Sequence, residues 1–321
     1  MAALDTLKAF FEASLKPSPV VFAIGFAFVL FFPVLLHILV TQKSTYTTLP
    51  SVLLVGPSGA GKTALLTLLE RGPLSAPAGE KPSLTGPASP APTHTSQAPA
   101  AVELAVSTDG TSSFRDDLDA TGATAKRFLL IDTPGHAKLR RLALSHLSPA
   151  KPSTSPTSSY SATPKSRLKG LVFVLDAAAL ADGDALPATA AYLYDVLLAL
   201  QKRASGAKGS KPPPAIPVLI AANKLDLFTA LPAALVKSNL EAELGRIRKT
   251  RSRGLLDSGV GADDDVAGIE EGDDWLGEYG SDKFSFKQML EFDIEVEVVG
   301  GSVLGDGPGA DRWWKWIGQR A

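Results

Sequence analysis

Gly56-Pro-Ser-Gly-Ala-Gly61-Lys62-Thr63 fits the spacing G-x-x-x-x-G-K-[ST], and it lies between an apolar run, Ser51–Val55 (SVLLV), and a stretch of helical pattern, Lys62–Glu70. That context gives the spacing its meaning. Glycines let the backbone turn tightly and bring amide N–H groups against phosphate oxygens. A helix opening at Lys62 adds the positive end of its dipole. The Lys62 ammonium offsets charge on the β- and γ-phosphates, and the Thr63 hydroxyl is a ligand for Mg²⁺. Gly56, Pro57, Ser58, Gly59, Ala60, Gly61, Lys62 and Thr63 therefore read as a cradle for a nucleoside triphosphate, without specifying the base.

Two further motifs follow in chain order. Leu129-Leu-Ile-Asp132-Thr-Pro-Gly135-His136 is an apolar strand ending in Asp, then x-x-Gly. Asp132 is placed to hold Mg²⁺ through water, and the Gly135 N–H to meet a γ-phosphate. Alone, D-T-P-G also makes an ordinary turn; downstream of a phosphate loop it marks the metal side of the site. Asn223-Lys224-Leu225-Asp226 then selects the base. The Asp226 carboxylate can accept hydrogen bonds from N1–H and the exocyclic amine of guanine, a pattern adenine lacks. Asn223 can bond the base edge and tie this loop to the phosphate loop, and the Lys224 stem can lie over the ring plane. The three motifs together predict GTP with Mg²⁺.

The remaining parts of such a site are less sharply written. A switch threonine is expected between the cradle and Asp132; Thr95 within Pro-Thr93-His-Thr95-Ser96 is the first choice and Thr93 the second, in a segment with many other threonines. Gly300-Gly301-Ser302-Val303 stands where a guanine-packing loop belongs but lacks the Ser-Ala-Lys of many GTPases, which leaves backbone contact. His136 occupies the place of a water-orienting Gln: either the imidazole orients water as the catalytic residue, or it is only a switch residue in a slow enzyme.

Outward from these motifs, strands are predicted at Ser51–Val55, Val102–Val106, Arg127–Ile131, Gly170–Leu175, Pro217–Ala221 and Asp293–Val299. Helices are predicted at Lys62–Glu70, Lys138–Leu147, Pro187–Leu200, Ala233–Arg251 and Asp311–Arg320. Near-continuous apolar strands alternating with helices argue an α/β fold with a mostly parallel central sheet flanked by helices. Four segments near 73–99, 148–167, 204–214 and 253–280 are rich in Pro, Ser, Gly or acid and read as disordered insertions in a nucleotide domain spanning 51–321.

Residues 1–19 form a short N-terminal segment, and 41–50 a linker. Between them Val20–Val40 (VVFAIGFAFVLFFPVLLHILV) carries no charge. It has the roughly 20 residues a helix needs to cross about 30 Å of hydrocarbon, is longer than a signal-peptide core and precedes no small-x-small cleavage site. One transmembrane helix is expected here; the flanking Lys8, Lys16 and Lys43 leave its orientation open. A net charge of −1 gives no bulk attraction for nucleic acid, so no direct nucleic-acid partner is expected, and the absence of cysteine excludes thiolate metal sites.

The anchor plus the three motifs resembles the beta-subunit family of the signal recognition particle receptor, relatives of the Arf and Sar GTPases. Asp132-Thr-Pro-Gly135-His136 followed by Lys138-Leu-Arg-Arg141 is similar to that family's D-x-P-G-H and basic switch helix. Gly170–Asp176 and Ala221–Asp226 resemble its fourth strand and base loop. Leu240–Ser252, ending Arg-Ile-Arg248-Lys-Thr-Arg251-Ser252, is similar to its L-x-x-L-R-x-T-R-S signature, out of register by one at Gly245. Phe284-Ser-Phe286 resembles its F-x-F segment, and Trp313, Trp314 and Trp316 its aromatic last helix. The resemblance implies a single-pass protein of the endoplasmic reticulum membrane with a cytosolic GTPase domain, whose partner is the receptor alpha subunit, with translocon and ribosome beyond it. It implies GTP held as a stable ligand, with slow or partner-dependent hydrolysis. The other reading is an Arf/Sar-like trafficking GTPase that cycles with its own effectors.

Overall fold

A computed structural model of the chain describes residues 25–26, 28–33, 49–71, 92–107, 125–147, 167–205, 215–257, 275–278, 281, 283–304 and 309–320. Two compact units divide at residues 48 and 49. In the first, residues 25–26 and 28–33 are helical. The rest of the expected span Val20–Val40 lies outside the described residues, and among the described residues no helix is long and apolar enough to cross a membrane. Phe28 and Phe32, one helical turn apart, stack with ring centroids 4.8 Å apart.

The second unit is a three-layer α/β/α domain. Its strands are β1 (Pro50–Val55), β2 (Ala100–Ser107), β3 (Ala125–Asp132), β4 (Arg167–Asp176), β5 (Val218–Asn223) and β6 (Val296–Gly300). Its helices are α1 (Lys62–Arg71), α2 (Arg140–Leu147), α3 (Ala185–Ser205), α4 (Ala233–Asp257) and α5 (Asp311–Arg320), with 3₁₀ turns at Ala137–Leu139, Ala179–Asp182 and Phe286–Phe292. The sheet order is β2-β3-β1-β4-β5-β6. Every pairing is parallel except β2 with β3, where Ala100 faces Asp132 and Ser107 faces Ala125.

Alternation along the central strands builds two cores. Leu53, Phe173 and Ile220 point to the side covered by α2, α3 and α4. Val52, Val172 and Leu219 point to the side covered by α1 and α5. Both faces are dry, which is why β1 and β5 read as continuous apolar runs. Helix α5 seats Trp313, Trp314 and Trp316 on the second face, and the Trp313 indole N–H donates to Val299 O at 3.0 Å. Gly170 of β4 makes room there: a Cβ on it would meet the Trp316 ring at 3.3 Å.

Most elements differ from the sequence reading by a few residues at their ends, and two of the differences have a clear cause or consequence. The last strand begins at Val296, not Asp293, because Asp293 closes the preceding 3₁₀ turn in the left-handed region (φ 57°). Helix α4 continues to Asp257, and the chain beyond it returns to the core at Leu276, which is fully buried.

That return is held by Arg248, 1% exposed near the end of α4. Its guanidinium donates to Leu276 O (3.3 Å), Gln288 Oε1 (3.4 Å) and Ser281 O. It also lies over the Trp275 ring at 4.6 Å and the Phe284 ring at 5.8 Å. Gln201 of α3 clasps the same strand of chain, donating to Trp275 O at 2.8 Å and accepting from Gly277 N at 2.9 Å. Arg251 pairs with Asp195 of α3 at 2.8 Å and covers Tyr194. Glu241 accepts from Phe286 N at 2.9 Å, fixing the start of the last 3₁₀ turn. The arginine-rich end of α4 is thus a clasp between α3, α4 and the Phe284–Phe286 segment.

Replacing Arg248 with Met removes the donors to Leu276 O and Ser281 O from a buried site. Urea denaturation of Arg248→Met is expected to show a loss of about 3 kcal/mol, while Arg246→Met, which removes a surface pair with Glu243, changes stability by less than about 0.5 kcal/mol.

Candidate nucleotide site

The site lies at the carboxyl ends of the parallel strands, where such sheets place ligands. The β1 strand runs into the loop Gly56–Gly61, and Lys62 opens α1. The loop turns back on itself with Gly61 at φ 95°, a conformation open to glycine and strained for other residues. Space demands glycine there too, since a Cβ at Gly61 would sit 2.3 Å from Asn223 Nδ2.

Lys62 is 5% exposed and donates to Gly56 O (2.9 Å) and Pro57 O (2.8 Å) of its own loop. Burial pushes its ammonium down to about 8, an effect that the nearby Asp132 carboxylate opposes. Asp132, at the end of β3, is fully buried and accepts from the Thr63 hydroxyl at 2.6 Å through Oδ2. Burial drives its carboxyl above the usual range, against the pull of Thr63, Lys62 and the Thr133 N–H. Its Oδ1 is buried with no protein hydrogen-bond partner.

This donor set suits a small hard cation. A hydroxyl beside a half-satisfied carboxylate offers oxygen ligands only. Among the described residues no group of three His, Asp or Glu side chains could enclose a metal. The fit is therefore to Mg²⁺, which keeps several waters and takes phosphate oxygens as ligands.

Gly135 closes the opposite wall. A Cβ on it would meet Lys62 Nζ at 2.5 Å and the Pro57–Ser58 peptide at 2.6 Å, so the segment after β3 touches the phosphate loop directly. Thr133 pins that segment to β1 by two bonds to Leu54 O, from Oγ1 at 2.7 Å and from N at 3.2 Å.

From β5, Asn223 links three loops. Its Nδ2 donates to Ala60 O at 2.8 Å, and its Oδ1 accepts from Val303 N at 3.0 Å. Lys224 follows in the left-handed region (φ 67°), at a cost of about 1–3 kcal/mol for a residue with a Cβ. Leu225 N donates to Gly301 O at 3.2 Å. Asp226 is exposed at the rim.

These elements enclose one cleft of about 390 Å³. Ser58, Gly59, Gly61, Lys62 and Thr63 line its phosphate end with Gly135, while Asn223, Lys224 and Asp226 line the other end with Leu227, Val303 and Leu304. Thr93, His94, Thr95 and Ser96 reach the wall between. The first and second choices for the switch threonine thus both face the cleft. Asp132 lies beneath Thr63 and not on the lining. His136 is exposed and away from the lining; its Nδ1 accepts from Lys138 N at 3.3 Å and caps the 3₁₀ turn Ala137–Leu139. Sequence reasoning missed Asp176, which binds the Lys224 ammonium. Its only sequence signal is its place at the end of a buried strand.

Lys62 is expected to leave a pH signature. Its pKa in the fold, about 8, lies below the ordinary 10.5. Between those values the unfolded chain binds more protons than the folded one, so stability rises with pH across that window. In nucleotide-stripped protein the unfolding free energy of the parent minus that of Lys62→Met, measured by urea titration from pH 7 to 11, should increase between about pH 8 and 10.5; a difference constant in pH would contradict the buried ammonium.

Residues 47–290 match the family described as the signal recognition particle receptor beta subunit. The signal recognition particle receptor subunit beta of Saccharomyces cerevisiae is 30% identical over 206 residues, 64% of this chain and 61% of that protein; the chain spans about three fifths of the length of this curated relative. Among solved structures, SRβ with GTP in complex with SRX, from Chaetomium thermophilum, is 55% identical, with 85% of this chain and 100% of that chain covered and a TM-score of 0.66. SRβ with GDP and magnesium from the same organism is 49% identical over 85% of this chain and 99% of that one, with a TM-score of 0.58. The matched residues 47–290 contain β1 to β5 and all three motifs that line the cleft, and on that match the chain belongs to the signal recognition particle receptor beta-subunit family, with a P-loop GTPase fold.

Proposed function

We propose that the chain binds GTP with Mg²⁺ and serves as a membrane-anchored receptor subunit that holds an alpha-subunit partner at the endoplasmic reticulum for co-translational targeting. The observation that carries the nucleotide reading is convergence. Three motifs far apart in sequence line one cleft, and the buried amide of Asn223 ties the first to the third and to the loop after β6. The relatives with GTP, GDP and magnesium support the choice of ligand.

Each residue then has a task set by its position. The amides of Gly56–Gly61 and the Lys62 ammonium hold the polyphosphate. Thr63 and, through water, Asp132 would hold Mg²⁺, with Thr95 or Thr93 facing it from the far wall. When bound, the cation neutralises charge between the β- and γ-phosphates. Gly135 is placed to sense the γ-phosphate through its N–H. Asp226 accepts from guanine, and Lys224 floors the base. His136 is engaged in a helix cap and exposed, which supports slow or partner-dependent hydrolysis: the ring must leave that cap to reach a water in the cleft.

The anchoring reading rests on the N-terminal unit. Phe26, Phe28, Val29, Leu30, Phe31 and Phe32 are all exposed to solvent on that helical stretch, an arrangement suited to lipid. We infer one spanning helix over 20–40, a linker over 41–50 and a cytosolic nucleotide domain over 51–321. A spanning helix cannot leave the bilayer, which separates this reading from an Arf/Sar-like trafficking cycle with a detachable anchor. The relative in complex with SRX supports an alpha-subunit partner; translocon and ribosome would be engaged through that partner.

Asp226→Asn exchanges the acceptor for a group suited to xanthine. Calorimetry should show GTP affinity lowered about 100-fold, roughly 3 kcal/mol, with xanthosine triphosphate gaining; an unaltered preference for GTP would overturn the base assignment. The full chain should sediment with liposomes and resist alkaline carbonate, whereas residues 49–321 should stay in the supernatant with unaltered GTP affinity; sedimentation of the shorter chain would refute the anchor.

A further inference from the structure

Asp176 ends β4, opposite Asn223 in the parallel register with β5. Its carboxylate divides its work. Oδ1 accepts from Ala178 N (3.0 Å) and Ala179 N (3.1 Å), capping the turn that follows the strand. Oδ2 accepts from the Lys224 ammonium. Lys224 is at the same time part of the cleft wall. With its head tied to Asp176, the face it gives the cleft is the aliphatic stem.

A single half-buried ion pair at the mouth of a cleft, still reached by solvent, does little for stability. What it does is fix direction. Lys224 sits in a left-handed backbone conformation that its neighbours impose: Leu225 N is bonded to Gly301 O, and Ala177 N to Asn223 O. From that backbone a lysine with no partner for its ammonium would swing among rotamers, some of them across the cleft mouth. The carboxylate at the end of the adjacent strand selects among them the rotamer whose ammonium reaches Asp176.

We propose that Asp176 is a positioning residue for purine recognition, holding the Lys224 ammonium aside so that its methylene stem forms a pre-set floor for the base. The inference rests on the reading of the cleft as a guanine-nucleotide site. Asp176 touches no part of the cleft itself, so it acts only through Lys224. Pre-ordering the floor removes a rotamer cost at binding. Loss of that order is expected chiefly in the dissociation rate, as for most changes at one interface.

Asp176→Asn isolates the charge. The amide oxygen keeps the two cap bonds, and the amide nitrogen has no attraction for an ammonium. Dissociation of fluorescent GDP from the full chain in detergent should quicken about 5- to 10-fold in D176N. Affinity for tripolyphosphate, a probe with no base, and the melting temperature should match the parent. In a Lys224→Met background the Asn substitution should add no further change. A dissociation rate like the parent's, an equal loss for tripolyphosphate, or the same acceleration in the Met background would each overturn the proposal. If the parent chain itself binds neither GTP nor GDP, the nucleotide reading falls with it; parent binding with unaffected D176N removes the positioning role alone.

Discussion

One buried carboxamide holds the cleft in shape. Asn223 is 3% exposed, and its two polar atoms face a carbonyl of the phosphate loop and an N–H of the loop after β6. Each loop is short and glycine-rich, with little apolar surface of its own to anchor it. Removing either bond would leave a buried amide or carbonyl unsatisfied, a cost of about 1–3 kcal/mol. The tie also explains why Gly61 must lack a side chain: the carboxamide fills the space that a Cβ would take. The triphosphate end and the base end of the cleft therefore answer to the same side chain, and neither can shift alone.

Much of this architecture was legible because dry strands and helix faces follow simple periodicities. The six strands and five helices anticipated from the sequence are all present, and the parallel sheet follows from strands apolar on both faces. The P-loop was legible because its spacing is dictated by phosphate geometry. What escaped were features set by tertiary contact. The start of β6 could not be read from Asp293-Ile-Glu-Val, since the left-handed turn at Asp293 depends on the preceding 3₁₀ segment. The role of Asp176 was hidden because its partner lies one strand over. His136 could be aligned with a catalytic position, but its commitment to the Lys138 N–H is visible only in three dimensions.

The basic run at the end of α4 illustrates a different divide. In sequence, Arg248 and Arg251 are the features most distinctive of the family resemblance. In the fold they are far from the ligand chemistry: one satisfies carbonyls of the returning chain, the other joins α4 to α3. Residues that mark a resemblance can thus serve packing, and their recognition value says nothing about catalysis.

The parallel sheet also gives the domain two poles with different tolerances. The chain enters β4 and β5 at the ends remote from the cleft, and it is just before those points that the Ser/Thr/Pro-rich segment 148–166 and the Lys/Pro-rich segment 206–214 attach. Residues feeding that pole can lengthen, shorten or drift in composition while the loops at the carboxyl ends keep their spacing to the residue. The same topology that fixes where a ligand can sit thus marks where evolution, or an engineer adding a tag or a reporter, can write freely.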